Sequence, residues 1–228
     1  MSNKELHKKS STVRDVILGG QDGLVNVLGI VLGITAAGGT KQVLIAASLA
    51  AAFAGAVSMA AVNYTSTHAQ RDYYEKEMQR ETVEIEKQSD HEKQEVRAIF
   101  EEKGFSSDIL DRIVATITSN KKQWVNIMMQ DELKLQPVET KKIIPSSLVV
   151  GLATIIGSLV PIVSFFIFPE KPALYIGIVL SCLVLFFAGV YKAKSLVGVW
   201  WKSGIQMVLI GIGAAIIGFF IGKIFHTV

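Results

Sequence analysis

The chain contains a single cysteine, Cys182, among 228 residues. One thiol makes no disulfide framework and no CxxC metal site. Nucleotide and hydrolase signatures are also missing: no Walker-type loop and no GxSxG turn occur, so ATP-driven pumping and serine-hydrolase chemistry find no support. Neither His68 nor His91 follows a glutamate by three positions, because Thr65 and Gln88 stand there. The Glu-x-x-His pairs of di-iron carboxylate enzymes are therefore absent. The opening residues, MSNKELHKKSSTVRD, lack the short apolar core of a cleavable signal peptide. Most informative is where charge is lacking. Residues 43–62, 143–168, 172–191 and 203–222 carry none.

Each of those windows is long enough to cross a hydrocarbon core of roughly 30 Å as a helix. A fifth window, 16–37, is equally apolar except for Asp22. Acid is nearly confined to one place. Residues 71–142 hold 16 of the 20 acidic residues but only 13 of the 23 Lys and Arg, so this segment is net acidic and the remainder basic. The pattern predicts an all-α, polytopic membrane protein: an N-terminal tail with two spans (1–66), a hydrophilic helical domain (67–142) and three further spans (143–228). An acidic domain argues against nucleic-acid binding; membrane lipid is the expected surround.

Orientation follows from the remaining cations. With the N-terminus inside, Lys4, Lys8, Lys9, Arg14, Lys192, Lys194 and Lys202 are cytoplasmic, and Lys41, Lys171 and Lys223 are outside. The positive-inside rule favours that choice, and the acidic domain is then cytoplasmic. The apparent lack of a targeting segment favours a plasma membrane. Gly29 with Gly33, and Gly218 with Gly222, form GxxxG pairs. Such pairs let helices approach closely in lipid, either within one bundle or across a dimer interface.

The hydrophilic segment reads as several helices. One runs over 70–88. SDHE, from Ser89, has the form of a capping box starting another. Gly104 suits a helix stop. The SSD triplet caps a helix over 107–118, with Ile109, Leu110, Ile113, Val114 and Ile117 on its apolar face. Ser119 or Asn120 caps a last helix reaching about Leu135, and Pro137 and Pro145 mark the return to the membrane.

Two sets of side chains carry coordination chemistry. Glu81 and Glu84 are three apart, as are Glu92 and Glu95, so each pair shares a helix face. Unpaired carboxylates at that spacing repel, which makes the four a candidate dication site. Glutamate-rich helices are, equally, often only solvated. Met128, Met129 and Glu132 lie within about one turn. Paired methionines commonly fill cores; a thioether beside a carboxylate also suits a borderline ion such as Fe²⁺. Within the membrane, Asp22 is a costly carboxylate and by default marks an ion or proton path, unless Arg14 or an edge lysine pairs with it. Met59 lies at a similar depth on the second span.

Read in order, RDVILGGQDGLVNVLGIVLG (14–33), AGAVSMAAVNYTSTHAQRD (54–72) and the acidic insert ending in MMQDEL resemble the vacuolar iron transporter family. The resemblance implies five-span homodimers that move Fe²⁺, and often Mn²⁺, out of the cytosol in exchange for protons. They are not enzymes and hold no prosthetic group. Co²⁺ and Zn²⁺ remain open as further cargo. It implies a metal-binding role for Glu81, Glu84, Glu92, Glu95, Met128, Met129 and Glu132, and a translocation role for Asp22 and Met59. One position departs: Asn63 stands where the family carries glutamate, and an amide cannot carry a titrating proton. Two other readings are a metal-responsive membrane scaffold and a membrane-anchored di-iron protein, neither of which transports.

Overall fold

The computed structural model describes residues 3–195 and 198–226, with side chains from Thr12 onward. The side chains of Lys4, Lys8 and Lys9, which enter the orientation argument, lie outside the described residues. The elements are helices: α1 (Asn3–Ala36), α2 (Lys41–Lys87), α3 (Ser89–Glu102), α4 (Ser107–Thr118), α5 (Lys121–Ile127), a π-helical turn (Met128–Glu132), α6 (Thr140–Ile167), α7 (Glu170–Ser195) and α8 (Trp200–Ile224). Five contain segments long and apolar enough to cross a membrane, within α1, α2, α6, α7 and α8. The protein is an all-α, multi-pass membrane protein. It divides into two compact units, residues 1–64 with 142–228, and residues 65–141.

In the first unit, α6 is the most covered span. Its buried positions are mostly small: Ser147, Gly151, Ala153, Thr154, Gly157 and Ser158. Small residues substitute close backbone contact for the hydrophobic drive that lipid removes. A Cβ on Gly157 would fall 2.1 Å from the Gly20 carbonyl oxygen of α1, so only glycine fits there. The GxxxG pairs meet each other. A Cβ on Gly218 would lie 2.2 Å from Gly29 O, and one on Gly222 2.0 Å from Gly33 O. These glycines therefore pack α1 against α8 within one chain.

Three buried hydroxyls in this unit bond to their own helix: Ser147 donates to Ile143 O, Thr154 to Val150 O and Ser181 to Gly177 O. No water is needed to satisfy them. Lys41 Nζ donates to Phe168 O at 3.1 Å, placing the start of α2 and the end of α6 at one end of the bundle. The outer faces carry exposed Leu152, Ile156, Phe187, Leu209 and Phe220, a surface suited to lipid. Pro145 lies inside α6 rather than ahead of it; in the second turn its missing N–H removes one helix bond but does not stop the helix.

The second unit is built like a small water-soluble domain. Ile85, Val96, Ile117, Trp124, Val125, Met128 and Met129 form its buried core. Ion pairs fasten its helices at the surface: Lys121 with Glu86, and Arg97 with Asp111. Gly104 adopts φ +92° after α3, the left-handed conformation a helix stop favours. Asn120 caps α5, its side chain accepting from the backbone N–H groups of Lys122 and Gln123.

Four local expectations need correction. Ser89 is the first residue of α3, after Gln88, and no side-chain cap forms there; Glu92 is instead buried. Ser106 precedes α4 without a side-chain cap either. Ile109 is 61% exposed, because Leu110 and Ile117 define the buried stripe of α4. The last helix does not continue to Leu135: it widens into a π turn and ends at Glu132.

Candidate metal centre and membrane path

The break at Gln88 separates the two glutamate pairs onto different helices. Glu81 and Glu84 lie on α2; Glu92 and Glu95 lie on α3. The fold brings them back together with Glu132 from the π turn. Glu81 is 2% exposed and Glu92 4%. Burial, then the neighbouring charges of Glu95, Glu81, Glu84 and Glu132, pushes the Glu92 carboxyl up to about 7. Low-dielectric surroundings, then Glu95 and Glu81, push Glu132 up to about 7 as well. Burial and Glu84 also raise Glu81, which lies well beyond the apolar part of α2. Glu132 stays exposed at the rim, where water screens it; Glu92 is the carboxylate shut away. Its Oε2 has no hydrogen-bond partner. A buried carboxylate oxygen without a donor is costly and is open to a cation.

Three features of this cluster escaped the sequence reading. His91 Nδ1 lies 3.5 Å from Glu95 Oε1, and donor atoms of His91, Glu92 and Glu95 all lie within 4.8 Å of one another. The signal was present as His91 and Glu95 four apart on one helix, but His91 was weighed only for a Glu-x-x-His pair. Glu77 is 6% exposed, one turn below Glu81. Arg80 reaches Glu77 at 2.8 Å, Glu81 at 3.4 Å and Glu84 at 3.5 Å. A π turn carries Met128, Met129 and Glu132; such turns recur at functional sites. Met128 and Met129 are fully buried in the apolar core, so packing accounts for their positions.

The membrane residues are arranged differently. Asp22 is exposed on the surface of the protomer, in a groove with Leu18, Gln21, Val25, Asn26 and Ile210. Met59, half-buried on α2, does not line that groove. Arg14 does not pair with Asp22; its Nε lies 3.8 Å from Asp15 Oδ1. Asn63 is buried. Its amide donates to Ser146 Oγ at 3.0 Å and Ser147 Oγ at 3.2 Å, and Ser146 Oγ donates to Asp15 Oδ2 at 2.7 Å. Asp15 is thus a second carboxylate at a span end, 5% exposed, which the sequence reading passed over.

A bundle of five apolar spans with an appended carboxylate-rich helical unit defines a class: a polytopic membrane protein equipped to handle cations. A profile of the VIT family matches residues 13–223. The chain belongs to that family. It is 30% identical over 210 residues to Vacuolar iron transporter 1 of Tulipa gesneriana, covering 92% of this chain and 82% of the relative. It is 30% identical over 217 residues to Vacuolar iron transporter 2 of Oryza sativa subsp. japonica, covering 95% and 88%. Vacuolar iron transporter of Plasmodium falciparum (isolate 3D7) is 28% identical over 222 residues, covering 93% and 81%.

Proposed function

We propose that this protein is a transporter, not an enzyme, that moves Fe²⁺ out of the cytosol by proton antiport, with Mn²⁺ as a second cargo. One observation carries the reading: carboxylates from α2, α3 and the π turn converge on a buried, partly unpartnered cluster in a chain of the VIT family. The relatives named above are iron transporters by name, which supports iron as cargo.

In this mechanism Glu81, Glu84, Glu92, Glu95 and Glu132 collect the ion, His91 assists Glu95, and Met128 and Met129 are the candidate thioether donors. Asp22 and Met59 replace part of the hydration shell within the membrane, weakly enough to allow release. Asp22 and Asn26 face outward from the protomer within a span. Lipid tolerates such groups poorly, which favours a second copy covering this face: a homodimer. The N-terminus and residues 65–141 are assigned to the cytosol. The relatives' names point to vacuoles, so they lend no support to a plasma-membrane location. Asn63 removes one proton carrier; Asp22 or a cluster carboxylate is left for that step, since carboxylates release metal when protonated.

The test is flux into proteoliposomes loaded with an Fe²⁺-sensitive dye. Wild type should carry Fe²⁺, faster with an opposing pH gradient, and Asp22→Asn should fall to the level of empty vesicles while the full-length protein still binds Fe²⁺. Unchanged flux on collapsing the gradient rejects antiport. Binding without any flux selects the scaffold reading instead.

A further inference from the structure

Arg80 is the one cation in direct ion-pair contact with Glu81 and Glu84 among the described residues. Its guanidinium touches three carboxylates: Glu77 Oε2 at 2.8 Å, Glu81 Oε1 at 3.4 Å and Glu84 Oε2 at 3.5 Å. The geometry follows from α2: Glu77 and Glu84 lie three and four residues from Arg80, and Glu81, its chain neighbour, lies four from Glu77 and three from Glu84. We infer that Arg80 is a tethered placeholder cation, occupying Glu81 and Glu84 when no metal is present and withdrawing onto Glu77 when a dication arrives. This rests on the reading of Glu81 and Glu84 as metal ligands.

Three observations support an exchange rather than a fixed clasp. The shortest of the three contacts is to Glu77, which stands outside the proposed ligand set. Arg80 can keep that partner while giving up the other two. The Arg80 side chain is 52% exposed, whereas Glu81 is 2% and Glu77 8%. The mobile partner is therefore the solvated one, and its movement opens no buried void. Moreover, the contacts to Glu81 and Glu84 are long for charge-assisted bonds, so they are the easier pair to give up. A guanidinium cannot lose its charge near neutral pH. It competes with incoming metal at every pH where the carboxylates are ionised. It also offsets their mutual repulsion in the empty state. Its expected effects are a lowered affinity and a faster release, which a carrier needs and a storage site does not.

The test is titration of the full-length protein in detergent with Mn²⁺, free ion being read by electron paramagnetic resonance. Arg80→Gln should bind Mn²⁺ about tenfold more tightly than wild type, the scale of removing one competing charge at a half-exposed site. Arg80→Lys should fall between them, having a charge but no fork. Glu77→Gln should weaken binding several-fold by removing the retreat position. The double variant should match Arg80→Gln, because without the guanidinium Glu77 has nothing to hold. Unchanged or weaker binding by Arg80→Gln overturns the proposal, as a purely structural residue would not tighten binding when lost. Weakening by Glu77→Gln that persists in the double variant overturns the exchange and makes Glu77 a ligand. If neither wild type nor Arg80→Gln binds Mn²⁺, the ligand set itself fails, and Arg80's role with it.

Discussion

The two units differ in what they place between their helices and on their surfaces. The membrane unit buries glycine, alanine and serine where helices meet, beside large residues such as Leu24, Ile162 and Phe165, and turns many further large apolar side chains outward. The charged unit buries Trp124, Met128, Met129 and Ile85 and turns charge outward, except at one patch where carboxylates are buried. Solvent accounts for the difference. Lipid offers no reward for hiding leucine, so contact must come from backbones drawn close together. Water does reward it, so large side chains fill the core. The buried carboxylates of the charged unit fit neither rule, and that exception is why we propose them as the metal-collecting site.

Substitutions at glycine should break the comparison most strongly. Gly157→Leu places a side chain where a Cβ alone would lie 2.1 Å from Gly20 O. Two backbones cannot both stay, and the expected outcome is loss of monodisperse protein by fluorescence-detected size exclusion. Gly213→Ala is the control: nothing lies within 4 Å of its Cβ. That helix should be unchanged or firmer by about 1 kcal/mol, read as an equal or higher melting temperature. No glycine in residues 65–141 should behave like Gly157, since Gly104 has open space around its Cβ.

Next in size is the methionine pair, which separates core filling from coordination. Met128→Ala should cost about 2–5 kcal/mol as a cavity in a fully buried site, seen as faster hydrogen exchange in residues 65–141. Met129→Leu keeps most of the volume and should cost under about 1.5 kcal/mol. If the thioether is a ligand, Fe²⁺ affinity falls in Met129→Leu; if Met129 only packs, affinity holds.

Why some of this was legible in the sequence and some was not comes down to range. Five apolar windows show in composition alone, because a span is a local property set by bilayer thickness, and the structure has five. Gly104 and Asn120 were readable for the same reason: a stop or cap acts within a few residues. The Ser89 capping box failed because α3 begins one residue earlier, with Gln88 at the cap position and Ser89 already inside the first turn. Convergence of Glu132 on Glu81 and Glu92 was not readable from spacing, since a change of helix at Gln88 and a π turn lie between them. The Arg80 contacts are local, at one, three and four residues, but the spacing of the glutamates does not by itself point to the cation between them. The outward-facing Asp22 and the network from Asn63 through Ser146 to Asp15 needed tertiary structure, as they join α1, α2 and α6.

Titration sharpens the contrast at the carboxylate patch. Glu92 and Glu132, held up to about 7, bind protons in the folded state that they would not bind unfolded. Without metal, the contribution of these two groups to the stability of residues 65–141 should therefore be greatest below the ordinary carboxylate range and be lost as pH rises through about 7. Metal must displace those protons, so its affinity should run the other way. Dication affinity should fall by about tenfold or more on going from pH 7.5 to 6, measured by isothermal titration in buffers of different ionisation enthalpy to count released protons. Glu92→Gln should flatten that dependence.

The smallest expected effect tests whether the charged unit relies on ordinary soluble-protein devices. Asn120 accepts two backbone N–H groups at the start of α5, the short helix that leads straight into Met128, Met129 and Glu132. Asn120→Ala should cost about 1 kcal/mol, and Asn120→Asp almost nothing, because aspartate caps equally well and suits the helix dipole. The measurement is local: hydrogen exchange at Lys122 and Gln123 should quicken in Asn120→Ala while amides in α6 to α8 stay unchanged. If the loss instead spreads to the membrane spans, the two units fold as one and the division at residues 64 and 65 has no energetic meaning. If it stays confined, the helices of the proposed metal site can loosen and re-form without disturbing the bundle, as a site that must both capture and release an ion requires.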